Sequence, residues 1–423
     1  MNRFLSLLML LVLALALWAC SQNDEPIPVD EKKHSTEITE SAIRTPEEAV
    51  KCAFEAFSTF YGISRAIPVV KNVNVYGTSG LGRSEDVDSA FYIVNLEDNM
   101  GYAVIAASKE CDPVLAVTES GNIENLDSIE NPGAKLFFNT LSLRPIDPNR
   151  PKFNGDLTTL KQFKAESNVN DYEVKPRANN YWGQSYPENK YMPNGYAGCG
   201  NVATILTLSY FELPRAIKMD QGYKQVKWDV IKKHKYSSLH SVDDLTTDRC
   251  GDETNSSEEI HDYIGNFYKL IATFNISKYH SDGTSTTLSN TRSTIMDLAP
   301  SLNVSSIKDG MPKAYDCIGN GIIMVRGETD KGKGHAFIID GYFLRVITEN
   351  RYERPNELAS WTLVYTKTVK LGYNHINWGW NGMDNGYFEV NVFDPTKHLD
   401  YSQVSRSAGY GNNVKYFVVQ SDR

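Results

Sequence analysis

Apolar positions recur at two different periods along this chain, and the change of period marks out its elements. After Thr45-Pro46-Glu47-Glu48, the residues Val50, Ala53, Phe54, Phe57 and Phe60 fall on one face at helical spacing. Thr45 is a natural N-cap, Pro46 suits the first helical position and Glu48 completes a capping box, so a helix starts here. Short, largely apolar runs follow: IPVVKNVNV, AFYIVNL, GYAVIAA and DPVLAVT. They predict strands, the second and third joined through EDNM as a hairpin. A second helix is expected from Ala134 to about Leu143, ahead of Pro145, Pro148 and Pro151. Together these elements predict a small α+β domain over residues 45–177 with its own core. It carries no cluster of catalytic residue types.

Val174-Lys175-Pro176-Arg177 reads as an exposed junction with two basic residues. Beyond it, residues 178–423 predict one larger domain with helices first and strands last. The run VATILTLSYF is apolar all round, which marks a buried helix. Its first turn begins at or just after Cys199, and Pro214 ends it. Glu258 to Phe274 is the clearest later helix. GIIMV, HAFIIDGYF, WTLVYTKTV, HINWGW, GYFEVNVF and YFVVQ predict strands. This order suggests two layers meeting with a groove between them. The fold class is therefore α+β, with no internal repeat and no low-complexity segment.

The first residues stand apart from that pattern. Leu7 to Ala19 is an uninterrupted apolar run behind Met1-Asn2-Arg3, too short for a comfortable membrane span and right for a signal peptide. It closes on Leu17-Trp18-Ala19-Cys20, which resembles the lipobox of bacterial lipoproteins, although Trp18 is bulkier than that motif usually carries. The resemblance implies that residues 1–19 are removed, that Cys20 is lipidated and that 20–44 form a tether. Ser21 rather than Asp after the Cys implies an outer-membrane lipoprotein facing the periplasm or the outside; plain secretion is the alternative. A net charge of −9 and a pI near 5.5 offer no basic stripe for a nucleic-acid partner. Six cysteines, scattered and without a CxxC pair, make neither a disulfide framework nor a structural zinc site, and spacing alone does not support a Cys250–Cys317 bridge. The composition calls for no metal and no cofactor.

Cys199 stands between Gly198 and Gly200 at the start of the buried helix, where the positive end of the helix dipole favours thiolate. In an isolated GCG, a small buried cysteine at a helix start is the commoner meaning. Three other stretches change that. Gln184 lies fifteen residues upstream in a turn-rich segment, His335 follows in KGKGHAFIIDGY, and Asn377 and Trp378 follow in HINWGWNG. A thiolate peptidase needs a nucleophile, a base, a group that fixes the base's tautomer, and donors for the oxyanion. His335 begins an apolar strand, a rigid place for a base. Asn377 can accept from the imidazole without adding charge, and Trp378 can cover that bond from water. The Gln184 amide and the Cys199 N–H can form an oxyanion hole. His375, two residues before Asn377, could compete as base, and Asp340 reads as a structural acceptor. His234, His240, His261, His280 and His398 have no metal-ligand spacing.

The order Gln, Cys, His, Asn is that of papain-like enzymes. Gln184-Ser-Tyr-Pro, Gly198-Cys199 with Val202-Ala203-Thr204, Gly334-His335-Ala336-Phe337 with Asp340-Gly341-Tyr342, and Asn377-Trp378-Gly379-Trp380 together resemble the streptopain family of cysteine peptidases. TPEEA and FYIVNLEDNMGYAVIAA resemble that family's propeptide. The resemblance implies a papain-like two-layer catalytic domain behind a small α+β propeptide that blocks it until proteolysis. It makes Cys199 the nucleophile, His335 the base, Gln184 the oxyanion-hole residue, and Asn377 with Trp378 the pair that orients His335. It places the activation cut near Lys175 and Arg177. Leu206 stands where such helices often carry Gln, and Trp380-Asn381-Gly382 where Trp-Gly-Gly is common; both bear on groove shape rather than chemistry. The partners implied are protein or peptide substrates, the chain's own propeptide, and a lipid anchor. The expected function is a secreted, lipid-anchored cysteine endopeptidase made as a zymogen. The alternatives are a catalytically weak inhibitor or binding module on the same fold, and an amidase or cell-wall peptidase.

Overall fold

The computed structural model describes residues 43–62, 69–76, 91–109, 112–142, 162–219, 222–234, 258–328, 334–354, 360–393 and 414–422. The expected signal segment, Cys20 and nearly all of the tether lie outside these residues. So does Cys250, while the Cys317 thiol donates to the Lys313 carbonyl at 3.4 Å.

The first helix, α1 (Pro46–Tyr61), begins as expected. Thr45 Oγ1 accepts from Glu48 N at 3.3 Å, and the Glu48 carboxylate accepts from Thr45 N at 2.8 Å. Its buried stripe is Ala49, Ala53, Ala56, Phe57 and Phe60. The strands β1 (Val70–Tyr76), β2 (Phe91–Leu96), β3 (Tyr102–Ala106) and β4 (Val114–Thr118) pair consecutively and antiparallel. The helix α2 (Pro132–Ser142) follows. Then come β5 (Gln162–Val174), α3 (Cys199–Phe211), the hairpin β6 (Ala216–Met219) and β7 (Gly222–Gln225), and α4 (Trp228–Lys233). Helix α5 (Glu258–Phe274), hairpin β8 (Lys278–His280) and β9 (Gly283–Ser285), and helix α6 (Leu288–Leu298) complete the helical layer. The chain ends through β10 (Asn303–Val304), β11 (Lys308–Asp309), α7 (Ala314–Cys317), β12 (Gly321–Glu328), β13 (Gly334–Arg354), β14 (Thr362–Asn377), β15 (Gly386–Glu389) and β16 (Lys415–Gln420).

Two features depart from the sequence pattern. WTLVYTKTV and HIN are one strand, β14, and HAFIIDGYF extends to Arg354, so β13 and β14 form a long hairpin. Along its outer part β5 lies antiparallel to β13, from Tyr342↔Val174 to Arg354↔Gln162. The second feature is that the small N-terminal α+β unit does not close a core of its own. One sheet runs β1-β2-β3-β4-β15-β14-β13-β12-β16-β10, joined across the two halves where Tyr387 pairs with Val117. The cluster under α1 takes in Phe343, Tyr373 and Tyr387 from the C-terminal strands, with Phe60 ringed by all three at centroid distances of 4.7–5.0 Å.

Along β12 and β13 alternate residues face opposite layers, as a period of two dictates. Ile323, Val325, Phe337 and Ile339 pack toward α2. Ile322, Met324, Ala336 and Ile338 pack toward α3. Helix α3 is buried at every residue from Gly200 to Ser209, held between that sheet face and α5 and α6. Its uniform apolarity is the consequence of having no solvent side.

Candidate active site

Gly198 caps α3 with φ +88°, a backbone angle that L side chains rarely adopt, and a Cβ there would lie 2.9 Å from the Thr284 carbonyl. A Cβ on Gly200 would meet the Thr286 methyl at 2.3 Å. The two glycines therefore let β9 and the residue after it close over the first turn, with Cys199 presented between them. The half-buried thiol accepts the Ala336 backbone N–H at 3.4 Å, the residue after His335 on β13. Burial alone would push that thiol up. The His335 imidazole beside it, the Ala336 N–H and the more distant Arg326 guanidinium outweigh burial and bring it down to about 7.

His335 is buried, and its Nε2 lies 2.8 Å from the Trp378 carbonyl oxygen. An Nε2–H donated there leaves Nδ1 free to hold the proton exchanged with sulfur. This corrects the expectation for Asn377. Its Oδ1 accepts from Gly379 N at 3.0 Å, and its Nδ2 donates to the Ala178 and Asn180 carbonyls at 3.3 and 3.0 Å. The Asn377 amide thus shapes the turn that aims the Trp378 carbonyl and does not touch the imidazole. Trp378 is fully buried, its ring 6.4 Å from that of His335 and 4.6 Å from Phe337, and its Nε1 donates to the Asp384 carbonyl at 3.0 Å. Trp380 stands edge-on to His335 at 6.2 Å. Gln184 is half-buried; its carbonyl accepts from Ala197 N at 3.2 Å, which ties it to the approach of Cys199. Its side-chain amide makes no hydrogen bond among the described residues.

Asp340 and His375 are paired with each other. His375 Nδ1 lies 2.6 Å from Asp340 Oδ1, and its Nε2 is 3.4 Å from Glu119 Oε1, close enough for ion pairing but not aligned as a hydrogen bond. Burial would lower the imidazole pKa; the two carboxylates more than reverse this and raise it to about 10. His375 is thus cationic and committed, and it is no rival base. Lys175 is exposed and pairs with Glu173 at 2.8 Å. Arg177 is anchored: its guanidinium donates to the Gly321 and Gly319 carbonyls at 2.5 and 2.7 Å, and its backbone N–H to Asp340 Oδ2 at 3.1 Å. Among the described residues no cluster of three or more His, Cys, Asp or Glu could hold a metal.

The N-terminal unit docks behind this site. The α2 backbone at Gly133 lies against the Trp378 ring so closely that a Cβ would sit 2.0 Å from it. Leu136 fills the space over Gly327, the strand partner of His335. Ser120 Oγ donates to the Gly382 carbonyl at 2.8 Å, Asn131 Nδ2 donates to Met383 O and Asp384 Oδ2 at 3.1 and 3.0 Å, and Tyr181 Oη donates to Glu119 at 3.1 Å.

A thiol at a helix start, with an imidazole beside it whose far nitrogen is fixed by an acceptor, is the working pair of a cysteine peptidase. The comparisons give the same class. Residues 182–388 match the peptidase C10 family, and residues 35–144 match the Spi protease inhibitor family. The chain thus carries a segment similar to the peptidase C10, or streptopain, family of cysteine peptidases, behind a segment similar to an inhibitor-type propeptide. Among solved structures it is similar to a fragment of Prevotella intermedia prointerpain A, at 16% identity over 82% of this chain and 97% of that one, with a TM-score of 0.47. No curated protein matches it.

Proposed function

We propose that this chain is the zymogen of a secreted, lipid-anchored cysteine endopeptidase. The observation that carries the reading is the Cys199 thiol held between His335 and the Ala336 N–H while His335 Nε2 is fixed on the Trp378 carbonyl. In this reading the Cys199 thiolate attacks the scissile carbonyl, and the oxyanion is met by the Cys199 N–H and the Gln184 amide. The His335 imidazolium gives its proton to the leaving amine, which departs and leaves a thioester. Neutral His335 then takes a proton from water, the hydroxide attacks the thioester, and the thiolate is released. Asn377 acts through the turn that presents the Trp378 carbonyl, and Trp378 keeps water from that bond.

The propeptide packed on α2's side of Trp378 and over Gly327 supports latency. The junction favours slow activation: the bond after Lys175 precedes Pro176, and the bond after Arg177 is held by Asp340. Export and anchoring rest on the lipobox-like Leu17-Trp18-Ala19-Cys20, and Cys20→Ser is expected to move the chain from the membrane to the soluble fraction.

The test is to incubate the chain from Ser21 onward with reductant, beside Cys199→Ala, and to follow mass and casein cleavage. A shortened, active wild type beside an intact, inactive variant is the expected result. If wild type stays inactive even after trypsin has cut the junction, the peptidase reading fails and a binding module takes its place.

A further inference from the structure

Asp340 occupies an unusual place in the ladder that carries the base. Ile339 pairs with Ile376 and Gly341 with His375, so Asp340 is the extra residue of a bulge in β13. Its backbone is unpaired with β14, and its side chain is used completely. Oδ1 holds His375 Nδ1 at 2.6 Å, and Oδ2 accepts the N–H groups of Arg177 and Ala178 at 3.1 and 2.8 Å. The same 177–180 segment then accepts the Asn377 amide through the Ala178 and Asn180 carbonyls. Asn377 precedes Trp378, whose carbonyl is the acceptor for His335. The contacts close a circuit: His335 along β13 to Asp340, through the 177–180 strap to Asn377 and Trp378, and back to His335. His375 locks it from β14. Asp340, His375, Asn377 and His335 are all buried, so the bonds of the circuit other than the partly buried Arg177 N–H to Asp340 are shielded from water.

We infer that Asp340 and His375 are positioning residues for the base, holding the bulge that sets His335 against the Trp378 carbonyl. The inference rests on the peptidase reading and deepens it. Neither residue touches substrate. The pair works because a bulged strand has an extra residue to place, and a charged, bidentate anchor leaves it one position. The charged and titratable groups that face His375 are Asp340 on β13, Glu119 after β4 and Tyr387 on β15, its ring 5.0 Å away; Tyr181 bonds Glu119 behind it, and Glu173 on β5 acts on Tyr387. Asp340 and Glu119 keep His375 protonated, so the lock is closed at neutral pH. Propeptide removal takes Glu119 away and leaves the Asp340–His375 bond intact.

The experiment compares wild type, Asp340→Asn and His375→Gln in the full chain after activation. It reads kcat, KM and the pH dependence of thiol alkylation. Loosening the base is expected to lower kcat by about tenfold or more with KM within about twofold, since near-attack geometry is lost rather than binding. The alkylation midpoint is expected to move up from about pH 7. A folded variant with unchanged kcat and an unchanged midpoint overturns the inference, even if its Tm falls, because that is a structural role only. Where a variant does not fold, ring-labelled wild type decides: a His375 doubly protonated between pH 6.5 and 8 supports the lock, and a neutral ring there overturns it. If wild type itself cleaves nothing and takes no label from a thiol-directed peptidyl electrophile, the peptidase reading fails, and the ring measurement still decides on the pair.

Discussion

At the scale of single residues, the thiol and imidazole were readable as letters and their geometry was not. Cys199 and His335 stand out because glycines flank the first and an apolar strand follows the second. The acceptor for His335 is a backbone carbonyl, and every residue has one, so no side-chain code could mark Trp378 O. Asn377 carried the expected chemistry in its amide, but that amide serves the turn. The thiol makes a direct prediction. With its pKa drawn down to about 7, the rate of iodoacetamide alkylation in the activated enzyme should climb through pH 7 and level off by about pH 8, where a free thiol would still be climbing. Removing the imidazole by His335→Ala should move that climb upward, because burial is then opposed only by the Ala336 N–H and Arg326. A profile unchanged by His335→Ala would separate the two residues chemically and undo the assignment of His335 as base.

Elements were legible where one face is buried and the other wet. The capping box and stripe of α1 and the stripe of α5 were readable on that ground, while α3 and the β2–β3 hairpin were readable as apolar runs because they are buried all round. By contrast β5 has the sequence QFKAESNVNDYEV, and its side chains from Glu166 to Glu173 are exposed on both faces, so it carries no amphipathic signal. It is a strand because the outer part of β13 offers an unpaired edge. Helix α2 was readable as a helix, but its purpose was not, since the meaning of Gly133 lies in a ring 245 positions away. That glycine is a specific test of docking. A methyl there cannot fit against Trp378 without moving the ring or the helix, and overpacking of this kind costs about 1–3 kcal/mol. Gly133→Ala is therefore expected to lower the Tm of the zymogen and to quicken its proteolytic activation, measured by the rate at which casein-cleaving activity appears. The separated mature enzyme, lacking residue 133, should be unaffected once formed. Activation no faster than wild type would mean that α2 does not hold the latent state.

For the whole molecule, the two halves read as separate units because the sequence shows where the junction is and not which strands will share a sheet. The β4–β15 pairing and the core around Phe60 make them one body, and buried polar groups lie along the seam. Asp384 is the most telling. It follows Trp378 in the peptidase half, is 3% exposed, and accepts from Asn131 of the propeptide. Burial pushes its carboxyl up to about 6, against the Asn131 hydrogen bond and the nearby Tyr102 hydroxyl, which lower it by less. The sign follows from proton counting. Between the ordinary carboxyl value of 3.8 and about 6, the folded zymogen binds more protons at this site than the unfolded chain, so its stability falls as pH rises across that window and is flat above it. A shift of that size corresponds to about 3 kcal/mol at most. His375 has the same sign with a higher upper limit: its contribution is whole below pH 6.5 and is lost as pH rises through about 10. The zymogen should therefore be more stable near pH 4.5 than at pH 7 as far as this site decides. Asp384→Asn, which keeps the contact with Asn131 and removes the proton, should flatten that part of the curve. Chemical denaturation of Cys199→Ala with and without Asp384→Asn, at half-unit steps from pH 4 to pH 8, reads the difference directly. Parallel curves would place the ionised carboxylate in the folded seam and remove acid pH as a force that tightens the propeptide on the peptidase.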